Sequence, residues 1–249
     1  MISPTALHWR CITDSHGGTY THRPANASDI LTFDPAALPA IGTHGCHTCV
    51  GVYFKLSDTT CFVAHINAGH LDFVTQHDTS QDMRLVTPGE GVYVRDQTYV
   101  KLMDESVASR WPEVADIEEV VVVCPLLRHP EHGAFLTGWY IVDGIKAFLG
   151  RQDVEVNEEA QGFAVEHETG KISYFPFQND DEEADGSSPM PDDGVNFVAH
   201  NSHQGRDEKR WFIDVDEMHR SQERARPSSA WPARRSVDSK TLERRSDSV

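Results

Sequence analysis

Apolar patterning becomes dense near residue 43 and stops near residue 177. Two apolar runs open it, residues 47–56 (HTCVGVYFKL) and 59–68 (TTCFVAHINA), with Ser57 and Asp58 between them. Runs this rich in β-branched and aromatic residues, broken by two turn-forming residues, predict a strand, a tight turn and a strand. Over residues 91–111, apolar Val92, Tyr93, Tyr99, Val100, Leu102, Met103, Val107 and Trp111 alternate with polar positions, which predicts a helix stopped by Pro112. Residues 117–127 (IEEVVVVCPLL) are too β-branched and continuous for anything but a buried strand. Residues 135–150 (FLTGWYIVDGIKAFLG) read as an apolar helix with Gly150 past its end. Strands follow over 153–177, with a hairpin turning at Glu168, Thr169, Gly170 and Lys171. The class expected for residues 41–177 is α+β.

The flanks read differently. Residues 1–40, rich in Pro, Ala, Thr, Asp and Asn, predict an N-terminal arm that drapes over the domain without a core of its own and carries no chemistry. Residues 178–194 (QNDDEEADGSSPMPDDG) are acidic and nearly devoid of apolar groups, the composition of a disordered linker. Residues 195–249 are expected to be a mostly disordered tail, with one short strand at 195–199 and an Arg/Ser-rich end. There is no internal repeat.

Charge narrows the partners. The chain carries a formal charge of −17, and because residues 202–249 are slightly basic, the acidity lies in the body. Such a body repels nucleic acid and anionic membrane and favours a basic protein surface or a neutral ligand, though the same charge also serves plain solubility. No apolar run approaches the roughly 18 residues of a membrane span, and the first residues lack a basic stretch followed by an apolar one. A cytoplasmic chain with no membrane association is therefore expected. The five cysteines, an odd number, do not form a disulfide framework and suit a reducing compartment in which a thiol stays reactive.

The chemistry concentrates in residues 43–52 (THGCHTCVGV) and 62–68 (FVAHINA). A cysteine at the start of one strand and a histidine within its hairpin neighbour face each other across strands about 4.8 Å apart. That suits a nucleophile, Cys49, and a base, His65: a thiol near pH 7 is mostly protonated and needs an imidazole to take its proton and later return it to the leaving group. A buried bystander cysteine fits the same spacing.

These residues resemble the CheD family of glutamine deamidases. The family motif has a threonine, a glycine, then Gly-Ser-Cys-Val opening a strand, and an Ala-His on the next strand; Thr43, Gly45, Cys49, Val50, Ala64 and His65 fall into register. The likeness covers roughly residues 43–175, including the order of helices and strands. It implies a fold shared with the catalytic domain of cytotoxic necrotizing factors, a β-sandwich with flanking helices. It also implies a triad in which Cys49 attacks, His65 is the base and Thr43 supports them. Two departures bear on substrate choice: His47-Thr48 stands where the family has Gly-Ser, and Cys124-Pro125-Leu126-Leu127-Arg128-His129-Pro130 replaces a glycine-rich stretch. His47 is either a polar contact to substrate or a structural neighbour sharing Cys49's face.

The expected function is deamidation of glutamine side chains on a protein through a thioester. Backbone N–H groups around Thr48 and Cys49 are expected to hold the oxyanion. The substrate would be a protein with an exposed glutamine or asparagine amide, with no cofactor and no metal. Hydrolysis of an N-terminal asparagine or transglutamination would use the same residues. The alternatives are a non-catalytic interaction module on the same scaffold, or zinc held by donors drawn from His44, Cys46, His47, Cys49, Cys61 and His65. Redox use of Cys46-x-x-Cys49 ranks lower because no helix N-terminus follows to lower a thiol's pKa.

Overall fold

The computed structural model describes residues 7–23, 35–69, 86–125, 136–176, 197–201 and 209–225. In chain order the elements are β1 (Leu7–Ile12), β2 (His16–Thr21), β3 (Ala40–Thr43), β4 (Val50–Lys55), β5 (Thr60–Gly69), α1 (Pro88–Ala108), β6 (Val120–Val123), α2 (Thr137–Leu149), β7 (Ala160–Glu166), β8 (Ile172–Pro176), β9 (Phe197–Asn201), β10 (Lys209–Arg210), β11 (Phe212–Asp214) and α3 (Val215–Ala225). The protein is thus α+β, with two sheets and three α-helices among the described residues. None of these helices is long and apolar enough to cross a membrane.

The first sheet runs β8-β7-β3-β1-β9, and the second runs β10-β2-β5-β4-β6 with β11 alongside β5. In the second sheet the side-chain alternation of β4 and β5 separates two cores. Tyr53, Cys61, Val63, Val121 and Val123 pack against Ile12, Ile41, Phe163 and Val165 of the first sheet. Val52, Phe54, Phe62, Ala64 and Ile66 pack on the opposite face with Leu102 of α1 and Ile141, Ile145 and Phe148 of α2. A period of two, buried on both faces, accounts for the near-continuous apolar runs in the sequence.

The hairpin β4–β5 has the expected order, and the strand predicted over 117–127 is the shorter β6. Helix α1 begins earlier than predicted, because Thr87 and Glu90 form a capping box around Pro88. This S/T-x-x-E signal lies ahead of the apolar periodicity. It ends at Ala108 rather than Trp111. Helix α2 ends as predicted, on Gly150 in the left-handed conformation.

Both flanks need correction. The segment expected as an arm supplies β1 to the middle of the first sheet and β2 to the second, and buries Trp9, Ile12 and Tyr20. The alternation Leu7-His8-Trp9-Arg10-Cys11 has a period of two but spans only five residues, and β2 (HGGTYT) offers a single large apolar residue, which is why composition suggested a loose arm. The short strand expected at 195–199 is present as β9, but the expected tail also contributes β10, β11 and α3, with Trp211, Phe212, Ile213 and Val215 buried. The Trp211 N–H donates to the Ser15 carbonyl at 2.7 Å, and the Trp211 carbonyl accepts from Asn67 at 3.0 Å, so this segment is sewn onto the second sheet. The predicted acidic linker at 178–194 and the end of the tail beyond 225 lie outside the described residues.

Candidate active site

Thr43 is the last residue of β3 and pairs in parallel register with Ile12 of β1. His65 lies on β5 opposite Gly51 of β4. Both face the layer between the sheets, so the site is built at the seam, with one member from each sheet. A Cβ at position 51 would lie 2.8 Å from Thr43 Cγ2 and 3.2 Å from Cys46 Sγ. The absence of a side chain at Gly51 therefore lets Thr43 and Cys46 crowd in beside the imidazole. Before β4, Gly45 adopts φ +75°, a region that favours glycine, and Cys46 is anchored by its N–H to the Gln161 carbonyl at 2.8 Å. Cys49 follows, one residue before the β4 ladder starts at Val50.

His65 Nε2 lies 2.8 Å from Cys49 Sγ, and Nδ1 lies 2.9 Å from Thr43 Oγ1. The Thr43 hydroxyl donates its single proton to the Ile12 carbonyl at 2.7 Å. It must therefore accept from His65, which assigns a proton to Nδ1 and turns Nε2 toward the sulfur. Hydroxyl, imidazole and thiol form one directed chain, anchored on a backbone carbonyl of the neighbouring strand.

Cys46 Sγ lies 3.8 Å from His65 Nε2, and the two sulfurs and a ring nitrogen of His65 lie within 4.8 Å of one another. Hydrogen bonding from Cys46 holds the Cys49 thiol pKa well below its ordinary value; burial opposes this, and His65 reinforces it by charge and hydrogen bond. The Cys46 thiol is pushed well up by the same contact and by its burial. Burial alone would lower His65, but the charge and hydrogen bond of Cys49, with a contribution from Asp14, leave its pKa raised. The resting state these directions favour is a Cys49 thiolate beside a His65 imidazolium.

A cavity of about 370 Å³ opens onto this pair, lined in part by Asp14, His44, His47, Thr48 and Asn67. Asp14 Oδ1 is 3.7 Å from His65 Nε2 and accepts from the Asn67 amide at 3.1 Å. Thr48 is buried, and its carbonyl accepts from the Thr137 hydroxyl at 3.4 Å. His47 is exposed at the rim. It was expected to share Cys49's face by strand alternation, but residues 46–49 precede the strand, so that rule does not apply. Burial, with a smaller effect from nearby His65, lowers the pKa of half-buried His44.

Of the residues considered for zinc, the structure gathers Cys46, Cys49 and His65, with His44 and His47 on the cavity wall. Cys61 is buried four residues along β5 from His65, roughly 13 Å at a strand's rise, and burial pushes its thiol up to about 12. None of the five cysteines is in a disulfide. His70, His77, His129 and His132 lie outside the described residues. His167 is only partly exposed and stacks on His22 with ring centroids 3.7 Å apart.

Sequence reasoning missed Asp14, the Ile12 carbonyl and the placement of Cys46. The first two belong to the segment read as carrying no chemistry, and only the pairing of β1 with β3 brings them to His65. Asn67 was within reach, since it lies two residues past His65 on the same strand face. No protein-family model matches the sequence, and no curated protein matches it.

Proposed function

We propose that this protein is a CheD-like cysteine amidohydrolase that deamidates glutamine side chains of a protein substrate. The observation that carries the reading is the 2.8 Å contact of Cys49 Sγ with His65 Nε2, with Nδ1 held by the Thr43 hydroxyl. The Cys49 thiolate attacks the carboxamide carbon, and the negative charge that develops on oxygen is met by the N–H groups of Thr48 and Cys49. The imidazolium gives its Nε2 proton to the departing nitrogen, which leaves as ammonia and a thioester remains. Water, deprotonated by the now neutral Nε2, attacks the thioester. Glutamate is released and the thiolate–imidazolium pair restored. The cavity at the seam is wide enough for an extended amide side chain, and His47 at its rim contacts the substrate's backbone. The acidic body favours a basic protein surface around the target residue. A reactive thiol of this kind belongs in the reducing cytoplasm.

A second reading has its own observation. Cys46, Cys49 and His65 present three of the four donors of tetrahedral zinc, their donor atoms within 4.8 Å of one another. One experiment separates the two. Chelator-treated protein is offered glutamine-containing basic proteins, and ammonia and a one-dalton gain at glutamine (about 1 Da per site) are followed. The hydrolase reading expects both signals in the chelated wild type and neither in Cys49→Ala or His65→Ala. Activity in Cys49→Ala ends it.

A further inference from the structure

The proposed reaction uses one thiol, yet the structure places two at the imidazole. Cys46 is 0% exposed and Cys49 is 7% exposed, on the wall of the cavity. A small solute entering the cavity therefore meets Cys49, whereas Cys46 is fully buried and does not line it. The sulfur of Cys46 occupies the space left by Gly51, and its backbone is tied to Gln161. The site thus holds a second sulfur within 4.8 Å of the nucleophile, with the same base beside it.

We infer that Cys46 is a resolving thiol for Cys49 and that hydroperoxides switch the site off by closing a Cys46–Cys49 disulfide. The inference rests on Cys49 being the reactive thiolate of the proposed hydrolase, but on no particular substrate. In the first step the Cys49 thiolate attacks one oxygen of hydrogen peroxide. The S–O bond forms as the O–O bond breaks, and the departing hydroxide takes the His65 proton to become water. In the second step neutral His65, 3.8 Å from Cys46 Sγ, accepts the Cys46 proton, and the new thiolate attacks the Cys49 sulfenic sulfur. The S–S bond forms, the S–O bond breaks, and hydroxide leaves with the proton from His65 as a second water. Peroxide is reduced by two electrons and the dithiol is oxidised by two. A small dithiol reverses the change by exchange.

A role for the pair in restoring the enzyme follows from the same geometry. A lone sulfenic acid on an open cavity proceeds to the irreversible sulfinic acid, whereas a neighbouring thiol diverts it to a reducible disulfide. Cys11 also lines the cavity and Cys124 lies near Cys46, so the partner must be identified rather than assumed.

The test uses the full chain, treated with a chelator and then with near-stoichiometric hydrogen peroxide, quenched with an alkylating agent and mapped by peptide mass. The expected result is loss of both alkylation sites in the peptide carrying Cys46 and Cys49, with a mass lower by two hydrogens, and full recovery after dithiothreitol. In Cys46→Ser and Cys46→Ala, dimedone present during the peroxide treatment should trap Cys49 as its sulfenic acid, and without dimedone, at two or more equivalents of peroxide, Cys49 should gain two oxygens that dithiothreitol does not remove. Sulfinic acid at Cys49 of the wild type with Cys46 still alkylated would overturn the inference, as would a disulfide from Cys49 to Cys11 or Cys124. If Cys49 of the wild type reacts with neither peroxide nor alkylating agent, the hydrolase reading fails with it. Rapid alkylation of Cys49 without disulfide formation removes the switch alone.

Discussion

Thr43→Val removes one hydroxyl and keeps the shape of the side chain. In the native site that hydroxyl donates to the Ile12 carbonyl and accepts from His65 Nδ1, and Thr43 is fully buried. Valine leaves both groups without this partner in a place water does not reach. An unsatisfied buried group costs about 1–3 kcal/mol. Part of that is recovered by relaxation, so a stability loss of roughly 1–3 kcal/mol is expected for the pair. The effect on reactivity is more specific. The hydrogen bond is made to a charged imidazolium, and bonds to charged groups are worth about 1.5–3 kcal/mol, equivalent to roughly a tenfold to hundredfold change in forming the thiolate–imidazolium pair. The assay is the rate of Cys49 alkylation by iodoacetamide against pH, read by peptide mass, beside a thermal melt. Thr43→Val should shift the onset of rapid alkylation to higher pH. Thr43→Ser, which keeps the hydroxyl and loses the methyl that packs against Gly51, should restore the wild-type profile at some cost in stability. If Thr43→Val and the wild type give superimposable profiles, the hydroxyl does not orient His65 and the third member of the triad is lost.

Gly51→Ala places a methyl group 2.8 Å from Thr43 Cγ2 and 3.1 Å from Phe163 Cε1, so a melt should show about 1–3 kcal/mol of overpacking, with slower Cys49 alkylation. A variant as stable and reactive as the wild type would contradict the crowding described. Because the Cys49 pKa is lowered and that of His65 raised, the proposed amide hydrolysis should reach its plateau below the ordinary thiol pKa of about 8.5 and fall only above the ordinary imidazole value of about 6.5. A rate that climbs through pH 8.5 like an unassisted thiol would argue against the ion pair. Beside the start of β3, where its N–H donates to the Pro39 carbonyl, burial and then stacked His22 bring His167 down to about 4. The unfolded chain binds the proton more readily, so this contribution is intact above about pH 6.5 and is lost as pH falls toward 4. After allowance for partial exposure the loss at pH 5 is about 1 kcal/mol. His167→Gln should flatten that part of the stability curve, and an unchanged slope would assign it elsewhere.

The sequence made the hairpin legible because β4 and β5 are neighbours in the chain, and the alternation of their apolar residues fixes the register that brings Gly51 opposite His65. Helix α2 was legible for a similar reason, a continuous apolar stretch closed by Gly150. Partners brought together from afar were not legible. Ile12 and Thr43 are separated by thirty-one positions and meet only through the parallel pairing of β1 and β3, which no local periodicity encodes. Asp14 reaches His65 because the turn from β1 to β2 carries the chain from one sheet to the other. Trp211 was hidden because the apolar run Trp211-Phe212-Ile213 is only three residues long between charged segments, too short to show a period, although Trp211 packs in the core and its backbone bonds to Asn67 of β5 and to Ser15. Strand alternation does not reach His47, because the β4 ladder starts only after Cys49, yet His47 lines the same cavity as Cys49.

The energetics of the buried pair give the remaining prediction. His65 is 1% exposed and Cys49 7%, so the thiolate and imidazolium that their pKa directions favour would be held almost out of water. Desolvating two charges is expensive, and their attraction repays it only in part, so such pairs are weak sources of stability. Cys49→Ala removes the anion and lets His65 stay neutral, its Nδ1 proton still accepted by Thr43. The lost sulfur is small and borders an open cavity, so the packing loss is small as well. The variant should therefore melt within about 1 kcal/mol of the wild type, or above it, while losing its chemistry. A zinc site predicts the reverse, since each ligand contributes to the binding free energy that holds the fold, and loss of Cys49 would destabilise the metal-loaded protein by several kcal/mol. The comparison is made by thermal melts of wild type and Cys49→Ala, each with and without chelator. A wild type that chelator leaves unchanged, beside an equally stable Cys49→Ala, is the outcome expected of a site built for reactivity. A large loss in either arm would mean that these sulfurs and this nitrogen are held together for a metal.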